Sequence, residues 1–273
     1  MKDKYISTQS SRVLNYFHEQ DRSWFETTEL NSVLPFSSPS AIRALMSDMV
    51  RRGLLMRLKR GLYYIIPFES DPDIYMPDWH LVAEAMMRGR KHYIGYYSAL
   101  QIHDLITQPS LQEQIVVSNQ MRPSKIKVKR VTFQFIYHNK KHFFGEREMW
   151  INSFDRVKSS NLEKTIIDCL FKPEYAGGVV EIAKAIYASR DKLNFIKLLE
   201  YTERFGSQAV IKRLGFLLEA MQIKTEILTK LQSKRTASYV LLDTELPKSG
   251  KLQSRWRIQK NLEISTIQGA RST

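Results

Sequence analysis

Three cations fall within four residues at Arg57, Lys59 and Arg60, and Gly61 follows them directly. Apolar runs flank the cluster, Leu54–Leu58 before it and Leu62–Ile66 after it, so the cations are expected at the tip of a tight hairpin. Positive charge on a hairpin tip suits phosphate contact rather than base reading. Just upstream, Ser38, Ser40, Arg43, Ser47 and Arg51 recur on one side of a 3.6-residue period, and Ile42, Leu45, Met46, Met49 and Val50 occupy the other. Small hydroxyls and arginines on an exposed helix face are groups that approach base edges and phosphates closely. The bland reading of each part is an amphipathic surface helix and a hairpin kept soluble by its charge. Helix and hairpin in this order, behind two further helices, favour a winged helix-turn-helix.

The elements that would position these residues carry their own signals. Ser38 is an N-cap, Pro39 suits the first helical position, and Gly53 supplies the left-handed residue that stops the helix. Upstream, Ser7 or Thr8 caps a helix to about Glu19, with Val13, Leu14 and Phe17 on its inner face. Trp24 and Phe25 read as a short strand or core anchor, and Thr27 caps a short helix through Val33.

At 273 residues the chain should hold two domains. We expect an α+β protein: a winged helix-turn-helix over 1–70, a linker over 71–78 where prolines and acids interrupt regular structure, and a larger mixed α+β domain over 79–273. Within the last, Trp79–Met87 reads as a helix, and Ser98 caps another through Leu105. Strands follow at 114–117, 126–130 and 131–137, with a further one at 149–154. Asn161 opens a series of helices, continuing near 179–188, 195–204 and 208–221, and short strands close the chain at 240–242 and 255–258. The single cysteine, Cys169, lies in an apolar run and reads as a buried thiol. The N-terminus has no signal-peptide pattern and no apolar run reaches the ~18 residues that span a membrane, so a cytoplasmic protein without membrane contact is expected.

The net charge is +14, of which residues 1–70 carry only +3, with 10 Lys/Arg against 7 Asp/Glu. Most of the excess therefore lies in the second domain, where Arg122, Lys125, Lys127, Lys129, Arg130, Lys140 and Lys141 occur without an acidic residue among them. Alternation puts Lys125, Lys127 and Lys129 on one face of a strand. Two readings stand: a second electrostatic surface for flanking DNA or RNA, or a solvated edge strand protected by lysines. A second acid-free run, Lys248–Lys260, brackets Trp256, which alternation points toward the core.

Catalytic patterns are sparse. The six histidines form no metal-binding set, with His138 and His142 four apart in a strand-and-loop region, and there is no phosphate loop or nucleophile elbow. Glu163 and Asp168 lie five apart on one helix, hence on different faces, and read as surface residues. Asp243 and Glu245 superficially resemble nuclease carboxylates but lack the E-x-K spacing, and Gly177-Gly178 fits a turn at a helix start. We expect no metal, no cofactor and no enzyme. The alternative is a nuclease-like second domain guided by the winged helix.

Five blocks in order carry a resemblance over nearly the whole chain: LKRGLYYI at 58–65, YIGYYSALQIHDL at 93–105, SNLEKTIIDCLFKPEYAGGVVEIAKAI at 160–186, KRLGFLLE at 212–219 and LLDTELPKSGKLQSRWRIQKN at 241–261. The chain resembles the AbiEi family, the antitoxin and transcriptional-regulator half of type IV toxin–antitoxin systems of abortive infection and phage defence. The resemblance implies a repressor of its own operon that counteracts a nucleotidyltransferase-like toxin encoded beside it. Its DNA partner would be a double-stranded operator, expected as inverted repeats.

Overall fold

Side-chain caps open the helices largely where the sequence places them. The computed structural model describes residues 4–106, 108 and 110–271. The chain divides into two compact units, one running to Gly89 and including Ile126–Val131, the other comprising Arg90–Lys125 and the chain from Thr132 onward.

In the first unit, Ser7 caps α1 (Thr8–His18) by accepting the Ser10 N–H. Strand β1 (Trp24–Glu26) leads through a 3-10 turn into the short α2 (Leu30–Val33). A capping box between Glu26 and Glu29 starts that turn, so Thr27 does not serve as its cap. Ser38 accepts the Ala41 N–H to open α3 (Pro39–Arg51), and the hairpin β2 (Leu55–Lys59) and β3 (Leu62–Ile65) follows. The sheet order is β1-β3-β2, antiparallel throughout. Val13, Phe17, Phe25, Leu30, Met46 and Met49 form the core beneath it, with Phe17 and Phe25 stacked at 4.4 Å. Arg52 ties the end of α3 to α1, donating to the Ser10 hydroxyl at 2.7 Å and the Tyr5 carbonyl at 2.8 Å. Gly53 stands at φ +73, and a Cβ there would meet Pro72 at 2.5 Å.

The boundary falls later than the expected 71–78 linker. That segment is fastened within the first unit: the Lys129 ammonium binds the carbonyls of Pro72 and Tyr75, Pro72 covers Gly53, and Tyr75 packs near Tyr64. Helix α4 (Trp79–Met86), capped by Asp78, completes the unit. Proline and acid content marked an interruption of regular structure, but the backbone there is bonded rather than free.

Glu29 makes part of this unit sensitive to acid. Its carboxylate accepts from Arg22 at 2.7 and 3.0 Å and from the Glu26 N–H at 2.8 Å, and Arg88 lies 3.1 Å away. The Arg22 hydrogen bond, helped by those of Glu26 and Arg88, holds its pKa down to about 2. A carboxylate with a depressed folded pKa stabilises fully above its unfolded value, and the contribution is lost as pH falls through the folded one. Stability should therefore drop between about pH 4.5 and about 2, and Glu29→Gln should flatten the drop. Thermal midpoints followed against pH test this; superimposable acid profiles of the two proteins would contradict it.

The second unit opens with β4 (His92–Ile94) and α5 (Tyr96–Ile102). Ser98 does not cap this helix; it lies inside, where its hydroxyl accepts the Gln114 N–H at 2.9 Å. Then come β5 (Gln112–Val117), β6 (Lys125–Val128), which falls almost wholly in the first unit, β7 (Val131–Tyr137), β8 (Glu146–Trp150) and β9 (Arg156–Ser160). In the second unit the order β7-β5-β4-β9-β8 makes a mixed sheet, with β5–β7 and β4–β9 parallel. The strand expected at 149–154 starts earlier, as β8, and stops at Trp150, because Asn152 Oδ1 accepts the N–H groups of Phe154 and Asp155 and reverses the chain. Helices α6 (Leu162–Phe171), α7 (Gly178–Ser189), α8 (Phe195–Phe205), α9 (Gln208–Ala220) and α10 (Ile227–Lys234) follow, the last unanticipated. A small sheet of β10 (Val240–Leu241), β11 (Lys251–Gln253) and β12 (Ile258–Lys260), then α11 (Ile264–Gly269), ends the described chain. Ile166, Leu170, Ile182, Leu214, Leu217 and Trp256 are among the residues of its helical core.

Candidate nucleic-acid interface

Helix α3 and the β2–β3 hairpin form the walls of a groove of about 590 Å³. Arg43 and Ser47 enter from the helix, Arg57 and Arg60 from the hairpin. Four sequence-predicted residues, distributed over two elements, thus line one concavity. The 27–31 segment supplies Thr27, Thr28 and Asn31, and Tyr63 lies across from Arg57 on β3. The Thr27 N–H donates to the Gly61 carbonyl at 2.8 Å and holds the hairpin tip against that segment. Gly61 stands at φ +78 and its missing Cβ would lie 3.2 Å from the Thr27 hydroxyl, so a side chain here would strain the turn and crowd the contact.

Among the described residues the lining includes three arginines and no carboxylate. Nearby acids are engaged elsewhere: Glu29 by Arg22 and Arg88, Asp48 by Arg51 and Arg52. An unbalanced set of guanidinium groups beside hydroxyl and amide side chains suits a polyanion that also presents hydrogen-bonding edges.

Lys59 departs from its expected place. Arg57 pairs with Tyr63, but Lys59 pairs with Leu62, one residue out of step. Cross-strand partners share a face, and neighbouring residues on a strand face opposite ways. The bulge at this point therefore turns Lys59 to the side opposite Arg57, where its ammonium donates to the Met86 carbonyl at 2.6 Å. The sequence had placed Lys59 with Arg60 and Gly61 in the turn at the hairpin tip, whereas it is the last residue of β2. Ser38 and Ser40 are exposed at the start of α3 but bonded to each other at 2.9 Å, and Ser38 is also the N-cap. Arg51 is exposed and paired with Asp48. None of these four lines the groove. Thr27, Thr28, Asn31 and Tyr63 were missed as site residues; the polar run Thr27–Asn31 was the available signal, but it had been read as a helix start.

The second basic group is not one continuous strand face. β6 ends at Val128, and Lys129, in the left-handed region at φ 50, donates to the carbonyls of Pro72 and Tyr75 at 2.6 Å. The turn at 129–130 breaks the alternation that had grouped Lys129 with Lys125 and Lys127. Arg122, Lys125, Lys127 and Arg130 are exposed. Lys140 and Lys141, also exposed, belong to the second unit, whereas Lys127, Lys129 and Arg130 belong to the first.

In the second unit, Lys164 and Asp168, one turn apart on α6, are fully buried and ion-paired. The Tyr93 hydroxyl donates to Asp168 at 2.9 Å and accepts from Lys164 at 2.8 Å; Tyr96 bonds His138 at 2.7 Å. Burial pulls the Lys164 ammonium below its ordinary range while Asp168 opposes it, and burial brings His138 down to about 4. Asp168 was expected at the surface, and Glu163 too is buried. Tyr93 of β4 covers the Lys164–Asp168 side of α6, and the start of α8 covers Glu163, whose carboxylate accepts from the Asn194 N–H and pairs with Lys197. Asp243, the other acid of interest, accepts the Val179 N–H at 2.8 Å and so caps α7, while its second oxygen accepts from Glu245 N–H at 3.0 Å. Gly177 and Gly178 both adopt positive φ at that helix start. Among the described residues no three His, Cys, Asp or Glu side chains are grouped to hold a metal ion, and no helix is long and apolar enough to cross a membrane.

The chain thus has an α+β fold with an N-terminal helix and strand region and a larger domain built on a mixed sheet. The crystal structure of the Rv2827c protein from Mycobacterium tuberculosis has this fold, with a TM-score of 0.73 and 14% sequence identity over 100% of this chain and 97% of that one. No family model and no curated protein sequence matches the chain.

Proposed function

We propose that the N-terminal unit is a winged helix-turn-helix that binds double-stranded DNA, and that the protein represses its own operon. Helix α3 enters the major groove with Arg43 and Ser47 toward base edges, and the β2–β3 wing sets Arg57 and Arg60 against phosphates. The observation that carries this reading is the shared groove: the two pairs come from different elements yet line one concavity without a carboxylate. The ordered family blocks support the wider reading of an antitoxin that counteracts a nucleotidyltransferase-like toxin. A two-fold pair of chains on inverted half-sites about 34 Å apart would suit such an operator.

Fluorescence anisotropy on operator and scrambled duplexes, over a range of salt, tests the DNA reading. Arg57→Ala and Arg60→Ala should weaken binding to every sequence and each reduce the salt slope by about one. Arg43→Ala and Ser47→Ala should reduce discrimination by ~1–3 kcal/mol wherever a base contact is lost. Lys59→Ala should leave the slope nearly unchanged, since its ammonium is turned away from the groove. Unaltered affinity and salt slope in R57A and R60A would rule out the phosphate role.

A further inference from the structure

Three cations of the second unit gather where, among the described residues, no carboxylate pairs with them. Lys212, on α9, is fully enclosed, and its ammonium donates to the Thr236 hydroxyl at 3.0 Å and to the Ser238 carbonyl at 2.6 Å. Gln208, one turn earlier, clamps this loop: it accepts the Thr236 N–H at 2.7 Å and donates to the Lys234 carbonyl at 3.1 Å. Arg235 opens the loop. Arg257 joins it from the start of β12, where its carbonyl accepts the Val240 N–H at 3.0 Å and its Nη1 donates to the Tyr239 hydroxyl at 3.1 Å.

Arg235 and Arg257 each keep an Nε–H that is shut off from solvent and has no hydrogen-bond partner. Among the described residues no ion pair joins Lys212, Arg235 or Arg257 to an acid; nearby Glu203 pairs with Lys234 and Glu219 with Arg255. Burial, and after it the charges of Arg235 and Arg257, draw the Lys212 ammonium below the ordinary lysine range. Clustered like charges and buried guanidinium donors without acceptors are both unfavourable, and a bound anion relieves both at once. An oxyanion with several acceptor oxygens matches guanidinium forks, and of the Thr236 and Ser238 hydroxyls, which bond each other at 3.0 Å and accept from Lys212, one keeps a hydrogen to donate.

We propose that Lys212, Arg235 and Arg257 form a binding site for a phosphoryl group, supplied by a free phosphate or nucleotide or by the backbone of a nucleic-acid strand. The site lies wholly in the second unit and does not depend on the DNA reading of the first.

Calorimetric titration of the full chain with inorganic phosphate and with adenosine 5′-monophosphate tests it. Saturable binding is expected, weakened about tenfold or more by Arg235→Gln and by Arg257→Gln. Thermal midpoints without phosphate should hold in R235Q, whose Nε loses no bond, and phosphate should raise the midpoint of the wild type only. Arg235→Lys, which keeps the charge but removes the Nε–H, should also weaken binding, so Arg235 alone carries the test if R257Q fails to fold. A short thymidine oligonucleotide, titrated into chains already carrying R57A and R60A, separates the sources: tighter binding than phosphate, lost with R235Q, identifies a strand, and equal binding identifies a free phosphate or nucleotide. No saturable binding of any probe, or equal binding by wild type and the R235Q/R257Q double variant, overturns the proposal.

Discussion

Replacing Lys164 by Met should destabilise the protein by about 3–5 kcal/mol, the cost of leaving a buried charge without its partner. Lys164 and Asp168 are both wholly removed from solvent, so water cannot solvate whichever partner is left. The Tyr93 hydroxyl donates to Asp168 and accepts from Lys164, so the loss extends to a bond that ties α6 to β4. The double variant K164M/D168L should recover much of the loss, because an apolar pair of similar bulk avoids the desolvation penalty altogether. Urea unfolding measures all three; a loss under about 1 kcal/mol in K164M would refute a charged, mutually dependent pair. Acid provides a second check. Burial lowers the pKa of His138 to about 4, although Asp168 opposes the shift, and Tyr93, Tyr96, Lys164, His142 and Lys172 also surround it. The unfolded chain takes up a proton near the ordinary 6.5, so stability should fall as pH drops from about 6.5 to about 4. His138→Gln should flatten that stretch of the profile.

Gly215→Ala should destabilise even though alanine is the better helix former by roughly 1 kcal/mol. Gly215 lies in α9 under the indole of Trp256, and a Cβ there would come within 2.1 Å of the ring. The indole is fully buried, and its Nε1 donates to Glu219, so it has little room to retreat. Overpacking of this kind costs typically 1–3 kcal/mol, which outweighs the propensity gain. Trp256→Ala should cost more, about 3–5 kcal/mol, because it empties the same space. In the double variant the two losses should fall short of their sum, since the methyl no longer has a ring to strike. Denaturant midpoints with unchanged m-values would report this; a neutral or stabilised G215A would show that the ring moves freely.

Local signals carried much of the fold. Ser38 with Pro39 opened α3, Gly53 closed it, and Asn161 capped α6, each through contacts within a few residues. Trp256 is in the core as expected, although it lies in the turn between β11 and β12 and not on the strand expected at 255–258. The candidate groove was legible in part: Arg43, Ser47, Arg57 and Arg60 came from periodicity and hairpin pattern, whereas Tyr63 and the 27–31 segment had no such cue. Lys59, expected in the turn with Arg60, was misplaced because the bulge that turns it away from Arg57 is a property of two paired strands and is not contained in one strand's sequence. The extra cation Lys129 was misplaced similarly, by a turn that begins one residue after β6 ends.

By itself the sequence determined those features in which a residue interacts with its own near neighbours: the helix caps and stops, the hairpin tip, the apolar faces, and the excess of positive charge outside the first 70 residues. Tertiary structure alone decided which charges face solvent and which are enclosed. Lys164 and Asp168 have the spacing of an exposed pair on a helix, and only the packing of distant residues such as Tyr93 of β4 and Phe205 of α8 against α6 makes them a buried one. Asp243 caps a helix that begins 65 residues earlier, and Lys212 meets Arg235 and Arg257 through a loop and a strand distant in the chain. Burial and partnership depend on elements far apart in sequence. The groove behind Arg57 and Arg60 belongs to the same category: its tip residues were visible in the chain, but the concavity they share with Arg43 and Ser47 exists only once α3 and the hairpin are packed together.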